Sequence, residues 1–223
     1  MVRKQKPDLR TLPCYTIREA SHYLRVADST LRYWACGQGG YEGVIEPADK
    51  SPTLLSFLNL VELHVIRSIT REHNISFVKL RSTINFLKEK FDHNNPLLHN
   101  NFETDGVSLF IEHLGEIINI SQDGQIAMRE IIRGALRRVE RDNHGIPIKI
   151  HPYTRSYIEN APSSIVIDPH LSGGRPVIAG SGVATAVVAE RYKAGDSIKV
   201  LAKDYGRTQE EIEEAVRCEL QAA

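Results

Sequence analysis

Ser29, Thr30, Arg32 and Tyr33 crowd hydroxyls, a guanidinium and a phenol into one short stretch. That mix suits nucleic acid: arginine pairs bidentately with guanine edges, hydroxyls bond base edges, and all of them reach phosphate oxygens. Leu31 and Trp34 fall between them at helical spacing, so one face turns inward and leaves the polar set outside. Ser29, Thr30 and Arg32 are the candidates for reading bases. Arg18, Arg25 and Tyr33 are candidates for phosphate contact, with Thr16 beside them and Lys50 further on. A second set of cations, Arg129, Arg133, Arg137, Arg138 and Arg141, recurs along a later helical stretch. Such a stripe is ordinarily a solvated face; the competing readings are an acidic partner or a second phosphate contact. Gly173–Pro176 is a tight turn carrying Arg175, without the Lys-Ser/Thr ending of a phosphate-binding P-loop. Arg175 is expected to bond backbone carbonyls or pair with Asp168.

No catalytic constellation accompanies these groups. The nine histidines contain no His-x-x-x-His pair and the three cysteines no Cys-x-x-Cys, so neither a metal nor a cofactor is expected, nor an enzyme. The odd cysteine count favours a reduced, cytoplasmic protein. No apolar run approaches the roughly 18 residues of a membrane span, and the polar N-terminus is not a signal peptide. The formal net charge is zero, but residues 1–36 hold seven basic groups (Arg3, Lys4, Lys6, Arg10, Arg18, Arg25, Arg32) against Asp8, Glu19 and Asp28. Phosphate contact requires local basicity of this kind, because released counterions drive association.

The elements that must position these residues are legible in part. Thr16 and Glu19 make a capping box ahead of Ile17, Ala20 and Leu24, which share one face. Val26 points inward from a short turn, and Asp28 or Ser29 caps the next helix. This is a helix-turn-helix pattern, in which the second helix enters a major groove. Residues 1–13 read as a flexible arm. After Trp34 comes a glycine-rich stretch, then Val44–Glu46 and Thr53–Leu55 as a two-stranded wing with Lys50 near its tip. Ser56 caps a long helix with Phe57, Leu60, Val61, His64 and Val65 on one side, and Ser76 caps another through Phe91. Residues 92–101 read as a linker. Phe102–Ile120 reads as an antiparallel meander, and Gln125–Arg141 as a helix with Ile126, Ile131, Leu136 and Val139 inward. Gly145–Ile150 is an edge strand and 157–164 a second linker. The last sixty residues or so read as a separate unit: strands at 165–167 and 177–178, then helices over 183–194, 198–205 and from Thr208 through Leu220. Its final two helices repeat the helix-turn-helix pattern, with Ala202 at the close approach and Gly206 in the turn. Glu210, Glu211, Glu213, Glu214 and Glu219 make the last helix too acidic for phosphate, which points to protein contact or dimer formation.

The order of elements over residues 14–90, with "TLRYW", a wing and "LLSFLNLVELHVIRSI", resembles the MerR-type winged helix-turn-helix. The wing departs from that pattern in lacking its arginine-rich segment. Residues 163–220, with "IDPHLSGGRPVIAGSGV" and "AGDSIKVLAKDYGRTQEEIEEAV", resemble a domain of unknown function associated with VapB-type antitoxins, which are encoded beside toxins of the PIN nuclease class. Ser181-Gly182-Val183 stands where that pattern commonly has Thr-Arg-Ile.

The expected architecture is mainly α with small β elements. Residues 14–92 would be a winged helix-turn-helix, 102–156 a small antiparallel sheet plus helix, and 163–223 a small helical domain with a second helix-turn-helix-like unit. The resemblances imply an antitoxin that represses its own operon as a homodimer on operator DNA, with recognition helices about 34 Å apart, and that neutralises a PIN-type ribonuclease. Arg129, Arg133, Arg137 and Arg175 are the candidates for meeting that toxin. The alternative is a MerR-type regulator that senses a small ligand.

Overall fold

The computed structural model describes residues 7–73, 75–99, 102–118, 120–155 and 161–220. The described chain is mainly α-helical with small antiparallel sheets. β1 (Tyr15–Thr16) leads directly into α1 (Ile17–Leu24). The expected capping box is present: the Glu19 N–H donates to Thr16 Oγ1 at 3.2 Å and the Thr16 N–H to Glu19 Oε2 at 3.0 Å. Two donors that helix geometry leaves unpaired are thereby satisfied. Arg25 closes α1 in the left-handed region, at φ 52°. α2 (Asp28–Cys36) then starts from Ala27, not from Asp28 or Ser29. Asp28 is its first helical residue, where a carboxylate complements the positive helix end. Ala20 and Leu31 are both fully buried where α1 and α2 pack.

Gly37 ends α2 at φ 73°; a Cβ there would lie 1.9 Å from the Tyr41 carbonyl oxygen. The wing is narrower than expected. β2 (Asp49–Lys50) pairs with β3 (Thr53–Leu55), and β1 pairs with the other edge of β3. Val44 and Ile45 are buried without joining a strand. Asn59 explains this, because its amide donates to the Glu46 carbonyl and accepts from the Ala48 N–H, taking backbone groups a strand would have used. α3 (Phe57–His73) is buried on every side over residues 59–69, and Phe57, Leu60, Val61, His64 and Val65 all lie inside. α4 (Phe77–Phe91) starts at Ser76 as expected, though without a side-chain cap bond.

The central region departs most from expectation. Residues 96–98 form a short 3-10 turn with all three side chains buried, inside the stretch read as a linker. Phe102–Gly106 is a π-helical turn that runs into α5 (Val107–Ile118). Among the described residues no meander forms there. Val107, Phe110, Ile111 and Leu114 are buried at spacings of three and four, a helical period that β-branched residues disguised as strands. α6 (Gln122–Leu136) buries Met128, Ile132, Ala135 and Leu136. Ile126, expected inward, is 62% exposed, and Ile132 takes the inward place expected for Ile131. Val139–Arg141 belongs to β4, paired with β5 (Pro147–Ile150), and these strands form the central antiparallel sheet. Arg138, expected on an outer face, is buried, and its guanidinium donates to the carbonyls of His151, Pro152, Ala161 and Pro162. Residues 14–92 and the central region share one hydrophobic core. Of the arm expected at 1–13, residues 1–6 lie outside the described residues. The rest is tied down: Arg10 bridges Asp8 and Asp142, each at 2.7 Å, and its carbonyl accepts from the Leu58 N–H.

Two buried titratable groups lie on α3. His64 Nε2 lies 3.2 Å from the Ala135 carbonyl oxygen, and burial pushes its pKa down to about 3. Glu62 bonds the Asn95 amide at 2.9 Å, and burial raises its pKa to about 7. The stability that protonated Glu62 lends is full below its unfolded pKa and is lost as pH rises through 7. Glu62→Gln keeps an acceptor for Asn95 and removes the charging penalty. Urea unfolding at pH 5 and pH 8 is therefore expected to show the variant gaining on the wild type at the higher pH, by on the order of 3 kcal/mol. A difference that stays constant across this range would refute the burial of an ionisable carboxyl at this position.

The C-terminal unit has its own core, built from Ile165, Ile178, Val188, Leu201, Ile212 and Ala215 among others. β6 (Ile165–Val166) pairs antiparallel with β7 (Val177–Ile178), and a 3-10 turn at Ser172–Gly174 lies between them. α7 (Thr185–Lys193), α8 (Ile198–Tyr205) and α9 (Gln209–Glu219) follow. Gly206 supplies the left-handed turn between the last two at φ 60°, and Thr208 with Glu211 forms a capping box. Of the linker read at 157–164, residues 157–160 lie outside the described residues.

Candidate nucleic-acid interface

α2 presents Ser29, Thr30 and Arg32 to solvent, and none makes a side-chain hydrogen bond to protein among the described residues. Leu31, Trp34 and Ala35 anchor its other side in the core. The three candidate base readers therefore lie on the exposed face of a rigid helix. Arg18 is also exposed and without a protein partner among the described residues. It shares a cavity of about 460 Å3 with Ser21, His22, Arg25 and Asp28, where α1 turns into α2.

The other sequence candidates are more constrained. Thr16 spends its hydroxyl on the capping box. Tyr33 is half-buried, its ring centroid 4.0 Å from that of Phe77 on α4. Arg25 donates from its guanidinium to the Arg217 carbonyl on α9, at 2.5 Å, and burial pulls its pKa down. Lys50 lies next to the wing turn, exposed, 3.3 Å from Glu46. The sequence reading passed over Tyr41, which the glycine-rich loop displays at 56% exposure with the Arg81 guanidinium 4.6 Å from its ring centroid. The signal available was a lone aromatic between glycines.

The cations expected to meet a protein partner are not brought to one place. Arg129 donates to Ser108 Oγ at 2.9 Å. Arg133 and Arg137 are exposed near the end of α6. Among the described residues Arg175 pairs neither with Asp168 nor with a carbonyl. Its Nη1 meets Glu19 on α1 at 2.9 Å. Burial would raise the Glu19 pKa, but the bonds from Thr16 and Arg175 outweigh it and hold the carboxyl below its ordinary value.

That pair belongs to a wider junction. The Tyr15 hydroxyl donates to the Gly174 carbonyl at 2.9 Å, and His22 Nε2 lies 3.5 Å from Glu219 Oε2. The C-terminal unit thus packs against α1, the helix that supports α2. Glu219 and the Arg217 carbonyl on α9 meet His22 and Arg25 of the same chain. Among the described residues no group of His, Cys, Asp and Glu is arranged to hold a metal ion, and no helix is long and apolar enough to cross a membrane.

Residues 165–217 match the family described as a protein of unknown function, DUF433. Across an alignment of 243 positions the chain is 26% identical to a Mycobacterium tuberculosis protein named "Putative antitoxin VapB45", with 97% of this chain and 98% of that protein covered. Among solved structures it is similar to the crystal structure of Rv2018 from Mycobacterium tuberculosis, at a TM-score of 0.71 and 24% identity, covering 92% of this chain and 98% of that one. The arrangement of helix-turn-helix, central bundle and C-terminal unit is thus a fold shared along almost the whole chain with a mycobacterial protein.

Proposed function

We propose that this protein is the antitoxin of a type II toxin–antitoxin pair that binds operator DNA through α2 and represses its own operon. The observation that carries the antitoxin reading is the similarity to the mycobacterial relative, which spans 97% of this chain and 98% of that protein. The DNA half rests on the exposed, unpartnered Ser29, Thr30 and Arg32 on a helix whose other face is buried. In the MerR-like docking we adopt, Arg18 and Lys50 hold phosphates, and a homodimer sets two copies of α2 about one helical turn apart on a palindrome. The toxin would be of the PIN ribonuclease class. Of the four arginines assigned to it, Arg133 and Arg137 remain exposed for that contact, while Arg129 and Arg175 serve the fold.

Co-expression with the adjacent gene, followed by affinity purification of this chain, tests the pairing. Recovery of a stoichiometric small partner that arrests growth when expressed alone is the expected result. A chain that purifies by itself beside a harmless neighbour would overturn it in favour of a ligand-sensing MerR-type regulator.

A further inference from the structure

Three arginines converge where α6 gives way to β4. Arg133, Arg137 and Arg141 line a cavity of about 390 Å3 with Leu136 and Val139, and Glu103 is the acidic residue in that lining. That volume lies within the range of small-molecule sites. Arg141 is the best fixed of the three. Its Nε bonds Glu103 at 2.6 Å and its Nη1 donates to the carbonyls of Leu98 and Gly145. Its Nη2 is buried and finds no acceptor among the described residues. Arg133 makes only an exposed contact to Glu130 at 3.4 Å, and Arg137 has no side-chain partner among the described residues.

Helix geometry accounts for part of this, since cations gather at helix C-termini. It covers Arg133 and Arg137, which sit at the end of α6. It does not cover Arg141, which lies on a strand and is fixed by Glu103 and the carbonyls of Leu98 and Gly145. An anion in the cavity would face all three guanidinium groups, with Arg141 held in place by Glu103 and two carbonyls.

We propose that this cavity binds a compact small-molecule anion bearing phosphate or carboxylate groups. Guanidinium forks match both kinds of oxygen pair with parallel N–H donors. Leu136 and Val139, both nearly fully buried, give the apolar part of such a ligand a floor. Arg141 also joins the turn at residues 96–98, the π-helical turn at 102–106 and the β4–β5 hairpin, so an occupant would brace three segments at once. The inference requires neither the operator nor the toxin.

Isothermal titration of the full-length chain with inorganic pyrophosphate and, separately, with citrate tests it. Saturable binding of at least one is expected, weakened tenfold or more in Arg137→Ala and unchanged in Lys203→Ala, which removes an exposed cation on α8. Arg137 has no internal partner, so its loss leaves the fold intact, as circular dichroism would check. Tighter binding of pyrophosphate assigns phosphate-bearing ligands, and tighter binding of citrate assigns carboxylates. Absence of saturation with both probes, or equal losses in the two variants, would overturn the site.

Discussion

Arg32→Glu is expected to reduce affinity for the promoter DNA of the protein's own operon by at least about 100-fold, with the melting temperature unchanged. One base-reading arginine is worth about 1–3 kcal/mol, and reversal adds repulsion from every nearby phosphate. The fold should not notice, because Arg32 is exposed on α2 and bonds nothing else among the described residues. Gel-shift titration over a salt series checks this. Arg18→Ala serves as the contrast: a phosphate contact should lower affinity evenly across sequences and reduce the salt slope by about one. Wild-type binding by Arg32→Glu would remove α2 as the reading helix.

Glu214→Ala should cost about 1–3 kcal/mol, because it removes a buried carboxylate that bonds Thr154 and two arginines about a third exposed. Glu214 is fully buried on α9. Its carboxylate accepts from the Thr154 hydroxyl, from Arg155 Nε at 2.7 Å and from Arg217 on the same helix. Removal leaves two guanidinium groups facing each other without their shared anion. Because the Arg217 carbonyl also receives Arg25, the damage should pass to α1. Hydrogen exchange is then expected to rise in both Gln209–Glu219 and Ile17–Leu24, with a smaller rise for Glu214→Gln. Faster exchange confined to α9 would show that the junction does not couple the two units.

Local signals were read well where a single short-range rule decides the outcome. Thr16 and Glu19 announced α1, Ser197 and Thr208 the starts of α8 and α9, and Gly206 the turn between them, each through contacts within a few residues. The meander read at Phe102–Ile120 failed for the same reason in reverse. Val107, Ile111 and Ile118 favour strands by themselves; packing of their spacing against α4 and α6 decided for a helix. Ile126 shows the matching error of phase, since one residue of drift turns a side chain out of the core.

The roles of the arginines were the least legible. Arg25, Arg129, Arg138 and Arg175 carry the same group as Arg18 and Arg32, yet they end on a carbonyl of α9, on Ser108, on four carbonyls and on Glu19. Sequence by itself determined the helix-turn-helix, the polar outer face of α2 and the separate core of the last unit, because each follows from periodicity and capping along one stretch of chain. Which cations stay available, and that the C-terminal unit buttresses α1, only the tertiary structure decided. Those partners lie up to 192 residues apart in the chain, as with Arg25 and Arg217, and a guanidinium is committed by whichever acceptor the fold brings within about 3 Å.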